Sequence, residues 1–398
     1  MKKNKIFLPV LFFLCTSSIL NAQKTTQDIN KIIDNALQLA VQQYQYLSKQ
    51  LPADVLPRTY YPLTKKFETC NSSWWTSGFY PGSLLYLYEY SKDASLLNES
   101  NRIQKILEKE QFNKGTHDLG FMMYCSFGNA NRLQHTNEKD QILLNSAKSL
   151  STRFNAGAAV IKSWDHGTWK YPVIIDNMMN LELLFWATKF SGDSSFYKIA
   201  VTHANSTMKN HYRPDYSSWH VVDYDVNNGS VISKKTHQGY ADNSAWARGQ
   251  AWGLYGYVVM YRSTKDVRFL NFANNIAKFI TTHPSLPADN IPFWDYNTPE
   301  IPATYRDASA AAITASALLE LSKYVDEKKK QSYIAFSEKV IRSLATKTYT
   351  APIGENGGFI LKHSTGHLPG NSEVDVPLTY ADYYFIEAMM RYREMKKK

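Results

Sequence analysis

The chain has 398 residues, a formal net charge of +10, 14% aromatic residues and only three cysteines. The cysteine count excludes a disulfide scaffold, and the absence of a CxxC or Cys/His cluster gives no indication of a zinc site. The basic residues are scattered rather than blocked, which argues against a nucleic-acid-binding arm, although the positive balance suits anionic ligands as well as solubility. This length allows one large domain or two.

The N-terminal segment has the pattern of a secretory signal peptide. Three lysines precede an apolar run over residues 6–14, and small residues near position 22 suit cleavage. We therefore expect a signal peptide over 1–22 and a single mature domain over 23–398, located in the periplasm, with a net charge of +7 once the three lysines are removed. A lipoprotein attached at Cys15 is the less favoured alternative, because the bulky Leu14 precedes it. No other segment predicts membrane insertion.

Helical periodicity dominates the rest of the chain, and the alternation typical of β-strands is scarce. Twelve helices are predicted, at 28–48, 78–92, 94–109, 118–132, 137–154, 177–191, 193–211, 243–263, 265–283, 306–324, 327–346 and 379–395. Even-numbered helices are joined to the following odd ones by short links, and odd-numbered ones to the following even ones mostly by long links. This pattern indicates six helical hairpins, and their closure into an all-α (α/α)6 barrel is favoured over an open solenoid, which would need capping repeats.

The even helices are predicted to form the inner ring of the barrel. They begin with small and aromatic residues and stay apolar around the circumference, as in SGFYPGSLLYLY and SAWARGQAWGLYGYVVMY. The long links and the inner-helix N-termini then gather at one end, together with the segments SSWWTSGF, THDLGF, IIDNMMN, SAWARGQAW and TYRDASAAA. Because helix N-termini favour negative charge, this end is the predicted active site for an anionic ligand.

Asp118 and Asp176 are the candidate catalytic residues at this end. Paired carboxyl groups can share acid and base roles when their surroundings push their pKa values apart. The apolar residues 173–175 precede Asp176, so desolvation is expected to raise its pKa, and a nearby Asp118 would add to that rise. The structural alternative is that each aspartate only caps a helix.

Arg248 and Trp252 lie one turn apart on the eighth helix. The guanidinium can bind a carboxylate through two hydrogen bonds, and the indole can stack on the same ligand. The alternative for Arg248 is an ion pair with Asp242 or Asp307. Arg306 is expected to pair with Asp307 at the start of the tenth helix.

Several long segments resemble the unsaturated glucuronyl hydrolases, family 88 of the glycoside hydrolases. They are WWTSGFYPG, HDLGF, IIDNMMN, HQGYADNSAWARGQAWGLYG, PFWDYN and RDASAAAI, in the family's order from Trp74 to the last helix. The resemblance implies hydration of the C4=C5 double bond that polysaccharide lyases leave on a non-reducing uronic acid. An acid protonates C4, water adds at C5, and the hemiketal opens to release the neighbouring sugar. The family needs no metal or organic cofactor.

The same resemblance assigns roles to single residues. It implies Asp176 as the general acid/base and Asp118 as the second essential carboxylate. The residues implied to contact substrate are His117, Trp75, Trp164, His220, Gln238, Arg248 and Trp252. Candidates for contacts to sulfate in the last long loop are Lys362, His363, Ser364 and His367. This loop lacks the Ser-x-x-Ser-x-Lys pattern of some sulfate-accepting members.

The expected substrates are lyase-generated glycosaminoglycan disaccharides, and a monomer or homodimer is expected. An unsaturated rhamnogalacturonyl hydrolase is the enzyme alternative, although its eighth-helix motif reads closer to RGNGW than to the RGQAW found here. A non-catalytic periplasmic protein that binds uronic oligosaccharides is the alternative from another class. An epimerase on the same barrel would need histidine pairs as bases, which His117 and His220 do not supply.

Overall fold

Helices account for most of the computed structural model, which describes residues 28–396. The predicted signal peptide lies outside these residues. The helices are α1 (Ile29–Leu47), α2 (Phe79–Ser91), α3 (Ala94–Leu107), α4 (Asn129–Leu133), α5 (Asn137–Ser151), α6 (Leu181–Ser191), α7 (Ser194–Asn210), α8 (Ala247–Thr264), α9 (Val267–Thr282), α10 (Ala308–Leu321), α11 (Glu327–Leu344) and α12 (Thr379–Lys396). A π-helical segment, Gly120–Gly128, runs into α4, and a 3-10 turn, Ile175–Asn180, runs into α6. No helix within the described range is long and apolar enough to cross a membrane.

The short links that follow α2, α6 and α8 have the same local structure. The residue after α2, α6 or α8 adopts a left-handed conformation, and an aspartate directly after it caps the next helix by accepting a hydrogen bond from a backbone amide. Left-handed residues terminate helices and aspartate is a favoured N-cap, so the chain reverses within two residues. The link between α10 and α11 also ends in a capping aspartate, Asp326.

The even helices form a closed inner ring. Each packs against the next, with the π-helical segment before α4 contacting α6, and α12 packs against α2, which closes the ring and rules out an open solenoid. Helices α8 and α10 are buried around most of their circumference, as an inner position requires. Gly78 allows the close approach of α2 to the π-helical segment, because a Cβ there would lie 2.2 Å from the carbonyl oxygens of Phe121 and Met122. The (α/α)6 barrel is therefore confirmed.

Three small antiparallel sheets occupy the long links. They are β1 (Leu56–Tyr61) with β2 (Lys66–Cys70), β3 (Phe154–Asn155) with β4 (Val160–Ile161), and β5 (Pro172–Ile174), β6 (Val221–Tyr224) and β7 (Val231–Lys235) in the order β5-β6-β7. In the third sheet, Ile174 pairs with Val221 across 47 positions of sequence. Strand β5 leads directly to Asp176 and β6 follows His220, so this pairing brings the two residues together.

Candidate active site

A cavity of about 500 Å³ opens at the end of the barrel where the inner helices begin. All of its lining residues belong to the long links or to the residues just before an inner helix. The predicted site residues that line it are Trp75, His117, Asp118, Trp164, Asp176, Gln238 and His367. Residues from six separate segments therefore meet in one concave site, which is the usual form of a small-molecule site.

Asp176 lies in the 3-10 turn before α6 and is only 6% exposed. Its Oδ2 accepts no hydrogen bond. Burial is the largest cause of the rise in the pKa of Asp176, to about 7, while the positive charge of Arg248 opposes the rise and the negative charge of Asp118 adds to it. A carboxyl group of this kind holds its proton near neutral pH and can donate it to a substrate.

His220, directly before β6, faces Asp176. Its Nδ1 accepts hydrogen bonds from the backbone amides of His237 and Gln238, both at 3.1 Å, so the ring proton is on Nε2. Burial lowers the pKa of His220 well below its usual value, which keeps the ring neutral. Nε2 lies 3.8 Å from Asp176 Oδ2 and has no hydrogen-bond partner. Both unpartnered atoms are buried, and His220 itself does not line the cavity, so the two groups face each other just beneath its surface.

The Asp118 carboxylate is held by two polar neighbours, Thr116 and His117. The Thr116 hydroxyl donates to its Oδ2 at 2.8 Å, and His117 Nε2 lies 3.2 Å from its Oδ1. The other nitrogen of His117, Nδ1, lies 3.4 Å from the hydroxyl of Ser163, which itself accepts a hydrogen bond from the Ile174 amide. His117 thus links Asp118 to Ser163, with Nε2 facing the carboxylate and Nδ1 facing the hydroxyl. Within the described residues, neither carboxyl group accepts a hydrogen bond from the first turn of the helical segment that follows it, so neither acts as a helix cap.

Indole rings form much of the cavity wall. Trp75 packs on Tyr380 with ring centroids 4.9 Å apart, and Trp164 stacks on the ring of His166 at 5.4 Å. Trp74 also lines the cavity and lies beneath the guanidinium of Arg58 at 4.3 Å. These flat faces suit the apolar faces of a sugar ring, as in other sites where aromatic side chains carry most of the contact area.

The comparisons with known proteins agree with this geometry. No family model matches the chain. It is 43% identical over 384 residues to an unsaturated glucuronyl hydrolase from Formosa agariphila, and the match covers 95% of this chain and 94% of that protein. The chain belongs to the unsaturated glucuronyl hydrolase family.

Solved structures of unsaturated glucuronyl hydrolases have the same fold. A crystal structure of a member specific for heparin is 47% identical, with a TM-score of 0.90, and covers 93% of this chain and 99% of its own. The enzyme from Streptococcus agalactiae, as an aspartate-to-asparagine mutant in complex with dGlcA-GalNAc6S, is 26% identical with a TM-score of 0.79, covering 91% and 92% of the two chains.

Among the cavity-wall residues of this family member that were not predicted from sequence is one ion pair, Arg58 with Glu373. Arg58 on β1 donates from Nε to Glu373 Oε1 at 2.8 Å, and its Nη1 pairs with Glu68 Oε1. Glu373 is 6% exposed, and burial raises its pKa while the charge of Arg58 opposes the rise. The two partners are 315 positions apart, so no local pattern connects them. In the sequence, the feature that points to this ion pair is an arginine inside the strand-like segment LPRTYY.

Arg248 lies beneath the cavity rather than in its wall. It is 1% exposed, its Nη1 lies 3.3 Å from Asp307 Oδ2, and its Nη atoms donate to the carbonyl groups of residues 365–366. The alternative ion pair with Asp307 is thus present, and the arginine holds the last long loop. The predicted pair of Arg306 with Asp307 is wrong, because Arg306 pairs with Asp289 at 3.1 Å.

Some predicted substrate contacts do not reach the cavity. Trp252 is fully buried and packs against Phe121 and Tyr384, so it belongs to the core below the site. Ser364 is fully buried in the last long loop. Lys362 and His363 line a separate pocket, described below. The sequence shows whether each of these side chains is apolar or polar. Whether a side chain is buried or reaches the cavity depends on packing between distant segments.

Proposed function

We propose that the protein removes the 4,5-unsaturated uronic acid from the non-reducing end of lyase-generated oligosaccharides by hydrating the C4=C5 double bond. The observation that carries this proposal is Asp176, a carboxyl group with a pKa of about 7 and an unpartnered oxygen at an aromatic-walled cavity. Double-bond hydration requires an acid that is still protonated near neutral pH, and the desolvated Asp176 meets this requirement.

In this proposal Asp176 protonates C4 and water adds at C5, with the proton of the water passing to the Asp176 carboxylate. The resulting hemiketal opens and the neighbouring sugar leaves. His220 directs its Nε2 proton towards the Asp176 carboxyl group, 3.8 Å away, and so stabilises the carboxylate that remains after proton transfer, since Nδ1 is committed to two backbone amides. Asp118 accepts from sugar hydroxyls, and its negative charge contributes to the raised pKa of Asp176.

Unsaturated glycosaminoglycan disaccharides are the proposed substrates, processed in the periplasm after export by the N-terminal signal peptide. Two relatives support the substrate class: one is specific for heparin, and another was crystallised with dGlcA-GalNAc6S. Within the cavity, His237 and His367 lie beside Gln238, with the two rings 4.6 Å apart, and they supply polar nitrogen atoms for an acidic leaving sugar.

The test is loss of the ultraviolet absorbance of the conjugated double bond, measured with unsaturated disaccharides from heparin, chondroitin and hyaluronan. We expect the wild-type protein to remove this absorbance and Asp176→Asn to lower kcat by about 100-fold or more. Failure of the wild-type protein on every unsaturated uronide would refute the proposed reaction. An equally active Asp176→Asn protein would instead refute the acid role of this residue.

A further inference from the structure

A second pocket, of about 590 Å³, lies next to the active-site cavity. We call it the outer pocket, and it is defined here by Tyr61, Leu63, Tyr305, Lys362, His363 and Asp375. These residues come from the β1–β2 hairpin, from the segment before α10, and from the last long loop. The same three regions border the active-site end of the barrel.

The outer pocket and the active-site cavity share a wall. In the last long loop, Ser372 and Glu373 line the active-site cavity, and the very next residues, 374–377, line the outer pocket. On β1, Arg58 lines the cavity, and Tyr61 lines the outer pocket three residues, or about 10 Å, further along. The two pockets are therefore neighbours on either side of this wall.

A hydrogen-bonded chain runs along this shared wall. Glu373 accepts from Arg58, Arg58 donates to Glu68 Oε1, and Tyr61 donates its hydroxyl proton to Glu68 Oε2 at 2.8 Å. These contacts hold the β1–β2 hairpin against the last long loop. The wall is thus a built feature that fixes the distance between the two pockets.

The outer pocket has exposed apolar side chains. Leu63 is 100% exposed and Tyr305 is 43% exposed, and both side chains face the same pocket. Exposed apolar side chains that cluster in a concave site usually mark a binding surface. An aromatic ring and an aliphatic side chain can pack on the C–H faces of sugar rings.

One cation of the outer pocket can pair with an acidic sugar. The Asp375 carboxylate contacts Nδ1 of His363 at 2.7 Å and so has a partner within the pocket. The Lys362 ammonium is oriented by a hydrogen bond to the carbonyl of Lys347 at 2.8 Å. A carboxylate or sulfate on a bound sugar can pair with this ammonium.

We propose that the outer pocket is an extended subsite for the reducing-side sugars of acidic unsaturated oligosaccharides longer than a disaccharide. This inference rests on the proposed function, in which the unsaturated uronic acid occupies the active-site cavity. The chain then passes over the wall of Arg58 and Glu373, and Tyr305, Leu63 and Lys362 contact the sugars beyond it.

The test compares unsaturated di- and hexasaccharides from one lyase digest, with Tyr305→Ala, Lys362→Gln and wild-type protein. We expect each substitution to lower kcat/KM for the hexasaccharide about fivefold or more, through KM, and to leave the disaccharide within about twofold. Phe190→Ala, which removes a 44% exposed aromatic ring at the end of α6, is the matched control and should change neither substrate. Melting temperatures confirm that the variants are folded.

Calorimetric titration with the hexasaccharide separates the two proposals. In an Asp176→Asn background, which keeps the outer pocket intact, Tyr305→Ala and Lys362→Gln should each weaken binding by a similar factor. Equal effects on both substrates, or no effect on the hexasaccharide in turnover and titration, would overturn the extended subsite. A wild-type protein that binds the hexasaccharide through Tyr305 but turns over neither substrate would overturn only the proposed reaction.

Discussion

Asp176 and Asp382 are two buried carboxyl groups whose pKa burial raises to about 7 in each case. Their hydrogen bonding differs. Asp382 accepts from the backbone amides of Ile360 and Leu361 and from the Tyr44 hydroxyl, so it contributes to the structure of the loop before it. Asp176 Oδ2 has no such partner, although a buried polar atom is costly to leave unpaired. A buried carboxyl oxygen that destabilises the fold and makes no structural hydrogen bond is typical of a reacting group.

The first prediction concerns the pH dependence of stability. The pKa of Asp176 is about 7 in the folded protein and about 3.9 for an unfolded aspartate. The folded state therefore binds its proton more tightly, and stability is lost as pH rises from about 4 to about 7. We expect Asp176→Asn to raise the free energy of unfolding by about 1–4 kcal/mol at pH 8 and hardly at all at pH 4, measured by urea denaturation.

Asp382→Asn is the matched control for this measurement. It also removes a carboxyl with a raised pKa, but it disturbs an acceptor for two backbone amides. We expect it to destabilise the protein at pH 4, where the ionisation penalty is absent. A stability change in Asp176→Asn that is the same at both pH values would contradict the assigned pKa.

At the scale of elements, the sheets and the last long loop position the site that the helices enclose. Helix boundaries followed from periodicity within a few residues, as for α3, predicted at 94–109 and observed at Ala94–Leu107. The strands were missed, because β5 has three residues and its partner β6 is far away in sequence. The π-helical form of Gly120–Gly128 was also missed, since its periodicity is close to that of an α-helix over nine residues.

The second prediction tests how Arg248 holds the last long loop. Its planar fork donates to two backbone carbonyl groups and pairs with Asp307, which a lysine cannot reproduce. We expect Arg248→Lys to cost about 2–4 kcal/mol of stability and to speed amide hydrogen exchange over residues 364–373, with KM rising more than kcat falls. Arg268→Lys, at an exposed ion pair, should change neither. Unchanged exchange in the loop would contradict the assigned role.

At the scale of the whole molecule, the barrel separates its active-site end from a charged network at the other end. Arg391 donates to the Tyr255 hydroxyl at 2.6 Å and lies 3.1 Å from Glu320 and 3.5 Å from Glu387. Arg262 also pairs with Glu320 at 2.9 Å. This network joins the middle and C-terminal halves of α8, α10 and α12, away from the helix N-termini that border the cavity.

The third prediction follows from this separation. Arg391→Met leaves Glu387 and Glu320 buried with less compensating charge, so we expect a loss of about 3–5 kcal/mol in the free energy of unfolding. At temperatures where the variant remains folded, kcat/KM should stay within about twofold of wild type, because the substitution lies far along α12 from the cavity. Chemical denaturation and steady-state kinetics measure the two effects. A loss of activity without a loss of stability would show that the two ends are coupled.

The barrel, its active-site end and the Asp118/Asp176 pair were predictable from sequence, because helical periodicity and link lengths are local and both aspartates lie in contiguous motifs.

The sequence did not predict which side chains face the cavity. Trp75 and Trp252 occupy similar aromatic motifs, yet one lines the cavity and the other is fully buried. Arg248 was expected in the wall and lies beneath it, whereas Arg58 and Glu373 form part of the wall from opposite ends of the chain. Burial and ion pairing depend on contacts between distant segments, and only ring closure and loop packing decide those contacts.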